Sequence, residues 1–497
     1  MKRVLVAAKL LAVILVACAA PIPSPSQSTR PETTVAAVAP SRLPLPTSTP
    51  LKRDPVATPS SAESDAPLGS SVLLAVWNDR SRQHEARPVD PRLGQPLSAY
   101  APIRLGRNYQ YVFSPDEKTL AVVAYPSDMH QRDGVLHFVD LQTWRDVTTT
   151  LKFDGWISAM DFSPDGAYLA AAYFDERTPA GADGGALLMI DVARRSSVAE
   201  AAPGFLPRVL SFTPDGKSLM AYGTSLDSRS GLSPAVRIAL IGAACLGVTW
   251  EQPLPHVLDG QYRQAEGDAP NAWIWHTPAV VLWPDRQELY IVHADEDRLT
   301  TVSFARRTVA STRIEPARTW LERLMALGAG AAHAKMLDGT RKQAVLSGDG
   351  TRLYVVGQTG QSTQDANKDW QFSQTPLDLQ VVDATNGVEI ARLETQATEI
   401  SLSPDGAQVF LRGLEKIGAP WTEVVDTTRL EVVARLSGRY LIPARQMNGQ
   451  PILLSSDSHT GYTTLASLDV QLLGEIRIWS GSGYAVWLSP LWNPSGW

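Results

Sequence analysis

The sequence predicts an all-β chain built from repeated four-stranded units, and three observations point to it. A strand that runs into Ser-Pro-Asp-Gly and then into a longer apolar strand, as in "DFSPDGAYLAAAYF" from Asp161, recurs in altered form along the chain. A second phrase, an apolar strand ending in aspartate, falls between successive copies of the first. The copies return at intervals of 49 to 70 residues. One such unit exposes two apolar faces and is unstable alone, whereas units stacked around an axis bury those faces continuously. The expected fold is a β-propeller of four-stranded blades, seven or alternatively eight, with a short helical insertion.

Taken in order, the chain opens with "MKRVLVAAKLLAVILVAC". Lys2 and Arg3 precede an apolar run that is too short for a permanent membrane span but suits a secretory signal over residues 1–17. The small residues before Cys18 suit a signal peptidase. The stretch resembles the bacterial lipoprotein signal, whose lipobox ends in the cysteine that becomes the lipidated N-terminus. That resemblance implies lipidation at Cys18 and a lipid-anchored, extracytoplasmic location in the cell membrane or outer envelope. A plain signal peptide is the alternative. Two or more acyl chains, at about 0.8 kcal/mol per buried CH₂, would anchor the protein stably. Residues 18–68 hold eleven of the 36 prolines, interspersed with Ser and Thr. Such a segment buries too little apolar surface to order itself and reads as a tether. Fully extended, it would reach ~150 Å at ~3.1 Å per residue.

Residues 69–497 carry the repeats. Beside the copy at Asp161 stand "VFSPDEKTLAVVAY" from Val112, "SFTPDGKSLMAYG" from Ser211 and "VLWPDRQELYIVHA" from Val281. "LSGDGTRLYVVG" from Leu346, "LSPDGAQVFLRG" from Leu402 and the weaker "MNGQPILLSS" from Met447 complete seven hairpins. Pro sets φ near −65° at the second turn position, and Gly accepts a positive φ near the end. The second phrase ends at Asp140, Asp191, Asp383, Asp426 and Asp469 and starts a further turn. Two leftover pieces, "SVLLAVWNDRSRQHEARPV" and "SGYAVWLSP", are expected to meet as a clasp that closes the ring.

With these turns the region from about residue 70 to 497 resembles the bacterial propellers of the WD-repeat and TolB-like group. The WD dipeptide is absent, and the Val/Ile/Leu-Asp positions stand in its place. The turns are structural and occur in propellers of unrelated function. Some relatives of this kind hydrolyse lactones or hold a quinone or haem. The resemblance therefore implies, as the alternative function, a lactonase-like hydrolase or cofactor-dependent oxidoreductase with its site at the central channel.

Composition and motifs narrow the rest. A formal charge of −6 without a basic block gives a nucleic-acid partner no electrostatic support. The two cysteines, Cys18 and Cys245, form no framework, and Cys245 in "LIGAACLGVTW" reads as a small buried apolar residue. No nucleophile elbow, phosphate loop, zinc helix or dinucleotide fingerprint is present, and neither is a cofactor signature. Three local features remain. In "HADEDR", Asp295, Glu296 and Asp297 offer oxygens for calcium or form an acidic solvated turn, and they match no calcium-loop spacing. In "NAWIWHTPAV", alternation puts Trp273 and Trp275 on one strand face beside His276, as a stacking platform or as packing between blades. Residues 316–336 read as a helix whose stripe of Trp320, Leu321, Leu324, Met325 and Leu327 docks on the propeller or on a partner. The reading that unites these features is a non-catalytic binding or scaffolding module, tethered to the membrane through Cys18. Its expected partner is an envelope protein, peptide or glycan.

Overall fold

The structure, a computed structural model, describes residues 67–488 apart from 79, 92–94, 126–133, 154, 176–184, 226–234, 264–272, 316–338, 365–369, 416–418, 446–447, 449–450, 458–461, 467–471 and 478–484. Cys18, the tether and the expected helix with Trp320, Leu321, Leu324 and Met325 lie outside the described residues. Within them are strands and two single-turn 3₁₀ segments, at Leu68–Ser70 and Pro284–Arg286, and no α-helix.

The first strands are β1 (Val72–Asn78), β2 (Gln83–Asp90), β3 (Gln95–Pro96) and β4 (Ile103–Gly106). Next come β5 (Asn108–Phe113), β6 (Thr119–Tyr125), β7 (Gly134–Asp140) and β8 (Arg145–Phe153). They are followed by β9 (Gly155–Phe162), β10 (Tyr168–Asp175), β11 (Gly185–Asp191) and β12 (Ser196–Ala201). The next set is β13 (Leu206–Phe212), β14 (Ser218–Ser225), β15 (Ala235–Gly242) and β16 (Val248–Pro253). A separate hairpin, β17 (Gly260–Arg263) and β18 (Trp273–His276), interrupts the series. Then come β19 (Ala279–Trp283), β20 (Glu288–Val292), β21 (Arg298–Ser303) and β22 (Thr308–Arg313). β23 (Thr340–Leu346), β24 (Arg352–Gln364), β25 (Trp370–Asp383) and β26 (Glu389–Leu393) form another set. The last sets are β27 (Glu399–Leu402), β28 (Gln408–Leu414), β29 (Pro420–Asp426) and β30 (Glu431–Ser437), then β31 (Tyr440–Arg445), β32 (Pro451–Asp457), β33 (Tyr462–Ala466) and β34 (Leu472–Arg477). β35 (Ala485–Leu488) ends the series.

Each set pairs in sequence order and antiparallel, as hairpins dictate. The exception is the opening set, where β35 pairs with β1, β1 with β2, and β2 with β4. Leu73 lies opposite Leu488 and Val76 opposite Ala485, so the expected clasp forms. A single parallel pair, Gly106 with Tyr125, links this set to β5–β8. Gly106 sits at φ +76°, and a Cβ there would fall 2.3 Å from the Tyr125 carbonyl oxygen, so the position requires glycine. Among the described residues the strands form one nine-stranded sheet, six four-stranded sheets and the two-stranded hairpin.

The core lies between neighbouring sheets. Alternation gives each strand two apolar faces, one per neighbour. In β10, Leu169 and Ala171 pack with Phe138 and Leu136, while Ala170 and Ala172 pack with Leu210 and Leu219. The same division continues through Tyr222 with Ile291, Tyr290 with Leu353, and Tyr354 with Leu411. Second strands are therefore buried along nearly their whole length, whereas the fourth strand β22 is exposed at every residue. First strands lie side by side, β5 with β9, β9 with β13, and β19 with β23 and β23 with β27. The chain is a β-propeller.

The recurring turn is a closed hydrogen-bond unit. Ser163 Oγ donates to Asp165 Oδ1 (2.6 Å) and accepts from Tyr168 N (2.9 Å), while Ala167 N donates to the same carboxylate (3.0 Å). Gly166, at φ +70°, closes onto the Ser163 carbonyl (2.8 Å). The hydroxyl–carboxylate bond repeats at Ser114–Asp116, Thr213–Asp215, Ser347–Asp349 and Ser403–Asp405. The aspartates of the second phrase cap the turn from third to fourth strand: Asp140 accepts from Gln142 N and Thr143 N, and Asp426 from Thr428 N and Arg429 N. Bonds such as Val192 N to Ala167 O and Ala384 N to Thr351 O stitch the two turns together. Both kinds of turn occupy one end of each sheet. The links between second and third strands, and between sheets, occupy the other.

One expectation is corrected. Cys245 is exposed, in the turn between β15 and β16, and not buried. Leu246 adopts φ +51° there and takes the buried position instead.

Candidate functional site

The end opposite the stitched turns bears β17–β18 and the β20–β21 link, residues 293–297. In the hairpin, Gly260 pairs with His276 and Arg263 with Trp273. Trp273 and Trp275 are two residues apart on β18, as the alternation requires. Trp275 is 55% exposed, and its Nε1 donates to Thr277 Oγ1 (3.1 Å). Thr277 N donates to Thr340 O and Lys342 N to Thr277 O (both 2.9 Å), which pins the hairpin to the start of β23. The fit depends on Gly339, at φ +109°, where a Cβ would stand 1.8 Å from the Trp275 carbonyl oxygen. Trp275 is thus an exposed indole on a fixed backbone.

Beside it, the β20–β21 link gathers charge. His293 is fully buried; its Nε2 is 2.8 Å from Thr300 Oγ1, which is 2.6 Å from Ser311 Oγ. Burial lowers the His293 pKa, against the pull of Asp295 and Glu296, and so favours the neutral ring. Glu296 pairs with Arg298 (2.6 Å) and approaches His293 Nδ1 (3.5 Å). Lys342, buried on β23, donates to the Glu296 carbonyl (3.3 Å) and stands 3.9 Å from Asp297. Its pKa is lowered by burial, and Asp297 and Asp295 oppose that shift. Burial also lowers His276, again against Asp295.

The structure therefore brings Trp275 and His276 to the same end as Asp295, Glu296 and Asp297. Glu296 and Asp297 face different cations, Arg298 and Lys342, and among the described residues no three His, Cys, Asp or Glu side chains are placed to hold a metal ion. The helix stripe and Cys18 fall outside the described residues.

Several charged residues gave no signal in the sequence. Arg208 on β13 forms an ion pair with the buried Asp259 just before β17. Tyr222 OH donates to the other Asp259 oxygen (2.9 Å), and Asp259 N donates to Tyr262 OH (2.7 Å). Burial raises the Asp259 pKa and Arg208 counters it; burial also pushes Tyr262 up to about 12. The Tyr262 and His276 rings are 5.9 Å apart, which joins this cluster to the hairpin. Arg412, also buried, donates to Leu441 O (3.2 Å) across two sheets and faces Glu399 at 3.5 Å. Apart from Asp259 and Tyr262, which are three residues apart, these partners lie 13 to 51 residues apart in sequence, so no local motif announces them.

No protein-family model matches the sequence, and no curated protein does. Solved structures do. Dihydro-haem d1 dehydrogenase NirN in complex with DHE is 14% identical, with TM-score 0.47, over 84% of this chain and 75% of that one. The propeller domain of Cps50 (Swd1) from Myceliophteria thermophila is 14% identical, with TM-score 0.38, over 73% and 93%. A Dos1 propeller is 12% identical, with TM-score 0.43, over 75% and 86%. At these values the likenesses carry no argument about what this chain binds or does.

Proposed function

We propose that this chain is a lipid-anchored, extracytoplasmic β-propeller that binds an envelope protein, peptide or glycan without transforming it. The observation that carries the reading is the presentation of Trp275: an exposed indole whose strand is held to β23 by the backbone bonds of Thr277, at the same end of the sheets as the Glu296–Arg298 pair. Exposed aromatics on a rigid support lose little entropy on binding and are frequent anchors of interfaces. The basic start, apolar run and Cys18, followed by a proline-rich tether, support the address.

Two experiments test the reading. Crosslinked affinity capture of the full-length protein from its own envelope should return one partner at near-equal stoichiometry. Trp275→Ala should weaken that capture about tenfold or more. Recovery of the protein alone, or capture indifferent to Trp275→Ala, would overturn the binding role at this end. Separately, Cys18→Ser should abolish lipid labelling and release the protein from membranes. An unlabelled wild type that stays on membranes would refute the anchor.

A further inference from the structure

Between the first strands β5, β9 and β13 lies a cavity of about 180 Å³. Its lining is split by chemistry. Tyr111, Met160 and Leu210 give it an apolar wall, and Gln110, Ser158 and Arg208 supply polar groups. Ser158 is already committed, its hydroxyl donating to the Pro207 carbonyl (2.6 Å). Arg208 is committed only in part. Asp259 takes Nη1, and no other side-chain partner of this guanidinium is present among the described residues. The Arg208 side chain keeps 31% of its surface accessible, whereas that of Asp259 keeps 3%.

The supporting shell is complete where the binding face is not. Asp259 is fixed by Tyr222 OH on one oxygen and by Arg208 on the other, so the guanidinium is held from behind. A planar fork with several N–H donors and one of them occupied is suited to a carboxylate, which accepts two parallel charge-assisted bonds. Gln110 on the neighbouring strand β5 adds an amide donor with no side-chain partner among the described residues. The volume sets the size of the rest: an apolar cavity of about 150 Å³ holds benzene.

We propose that this cavity binds a small carboxylate with a compact apolar body, its carboxylate on Arg208 and Gln110 and its body against Tyr111, Met160 and Leu210. The inference deepens the reading of the chain as a binding module by naming a ligand class, and it is independent of the membrane anchor. The carboxylate belongs either to a free acid or to the end of a peptide chain.

The test is ligand-observed NMR with calorimetry on the full-length chain in detergent, with benzoate, its neutral analogue benzamide, and N-acetylalanine as the mimic of a peptide end. Fragments of this size bind with Kd of roughly 0.1–10 mM. Wild type should bind at least one of the two acids tenfold more tightly than benzamide; which acid is preferred identifies the source. Arg208→Met should remove that preference and Arg208→Lys should weaken it, because an ammonium lacks the fork. Ala159→Leu, which fills the cavity without touching a charge, should abolish binding while partner capture through Trp275 persists. Neither acid binding, equal binding to Arg208→Met, or binding unaffected by Ala159→Leu would each overturn the proposal. Should Arg208→Met fail to fold, Arg208→Lys and Ala159→Leu still decide. Loss of envelope-partner capture in the wild type would count against the broader reading and leave this one standing.

Discussion

Gln287 holds the left-handed position at the end of its turn, φ +53°, where Gly166, Gly216 and Gly406 stand in sister turns at φ between +68° and +72°. A side chain there crowds its own carbonyl by roughly 1–2 kcal/mol, and glycine returns part of that gain through a freer unfolded chain. Gln287→Gly should therefore stabilise the protein by about 0.5–1 kcal/mol, read as a rise in the urea midpoint; a lower midpoint would refute the account. Asp161 is the opposite kind of residue. Burial pushes its carboxyl up to about 6, although Ser211 Oγ and Phe212 N both donate to it (2.9 Å). The folded pKa lies above the ordinary value of 3.8, so the stabilising contribution is full below pH 3.8 and is lost as pH rises through about 6. Asp161→Asn keeps an acceptor for both donors and does not titrate. Stability that declines from pH 4 to 7 in the wild type should decline less in the variant, with a gain of about 1–2 kcal/mol at pH 7.5. Identical slopes in the two proteins would show that Asp161 ionises freely.

At the scale of elements, the turn decides what could be read in advance. Ser163, Asp165 and Gly166 bond to one another and to the two residues that follow, so the whole unit is written in six consecutive letters. Ser163 both donates and accepts, and Ser163→Ala removes both bonds from a buried site. The expected cost is about 1–2 kcal/mol in thermal or urea unfolding, more than Asp165→Asn, which leaves an acceptor in place. Equal costs would mean that the hydroxyl does not organise the turn. The same locality made the hairpins and the aspartate-ended strands legible, and β18 holds Trp273 and Trp275 two residues apart. It did not reveal the strand's partner, because "GQYR" carries neither apolar alternation nor a turn signature. Nor did it reveal Arg208, Asp259 and Lys342. Each is a single polar residue whose role comes from a neighbouring sheet, and packing between sheets is written nowhere in a local window. Cys245 misled for a related reason: its apolar surroundings belong to two strand ends, and the turn between them is exposed.

For the molecule as a whole, the pairing of β35 with β1 is the one contact that joins the last described strand to the first. In a linear array of sheets the two terminal ones would each expose an apolar face, and adding repeats cannot cure that. Pairing residues 485–488 with Leu73, Leu74, Ala75 and Val76 makes one sheet from both ends of the chain, and those four residues of β1 are buried as a result of the packing on either side. An uncovered β1 would present an apolar edge with unpaired backbone groups, a template for association between molecules. Val486→Pro removes a backbone donor opposite Ala75 without shortening the chain. Its effect should be a drop in melting temperature of about 5 °C or more, since a few kcal/mol move the midpoint of a large domain by a few degrees each. It should also produce concentration-dependent association in sedimentation. Ser197→Pro, in the exposed fourth strand β12 opposite Ile190, provides the contrast: it disturbs one strand without opening the ring, and its variant should melt lower but sediment as the wild type does. If Val486→Pro melts and sediments like the wild type, the clasp does not hold the ring, and closure must come from packing between the sheets alone.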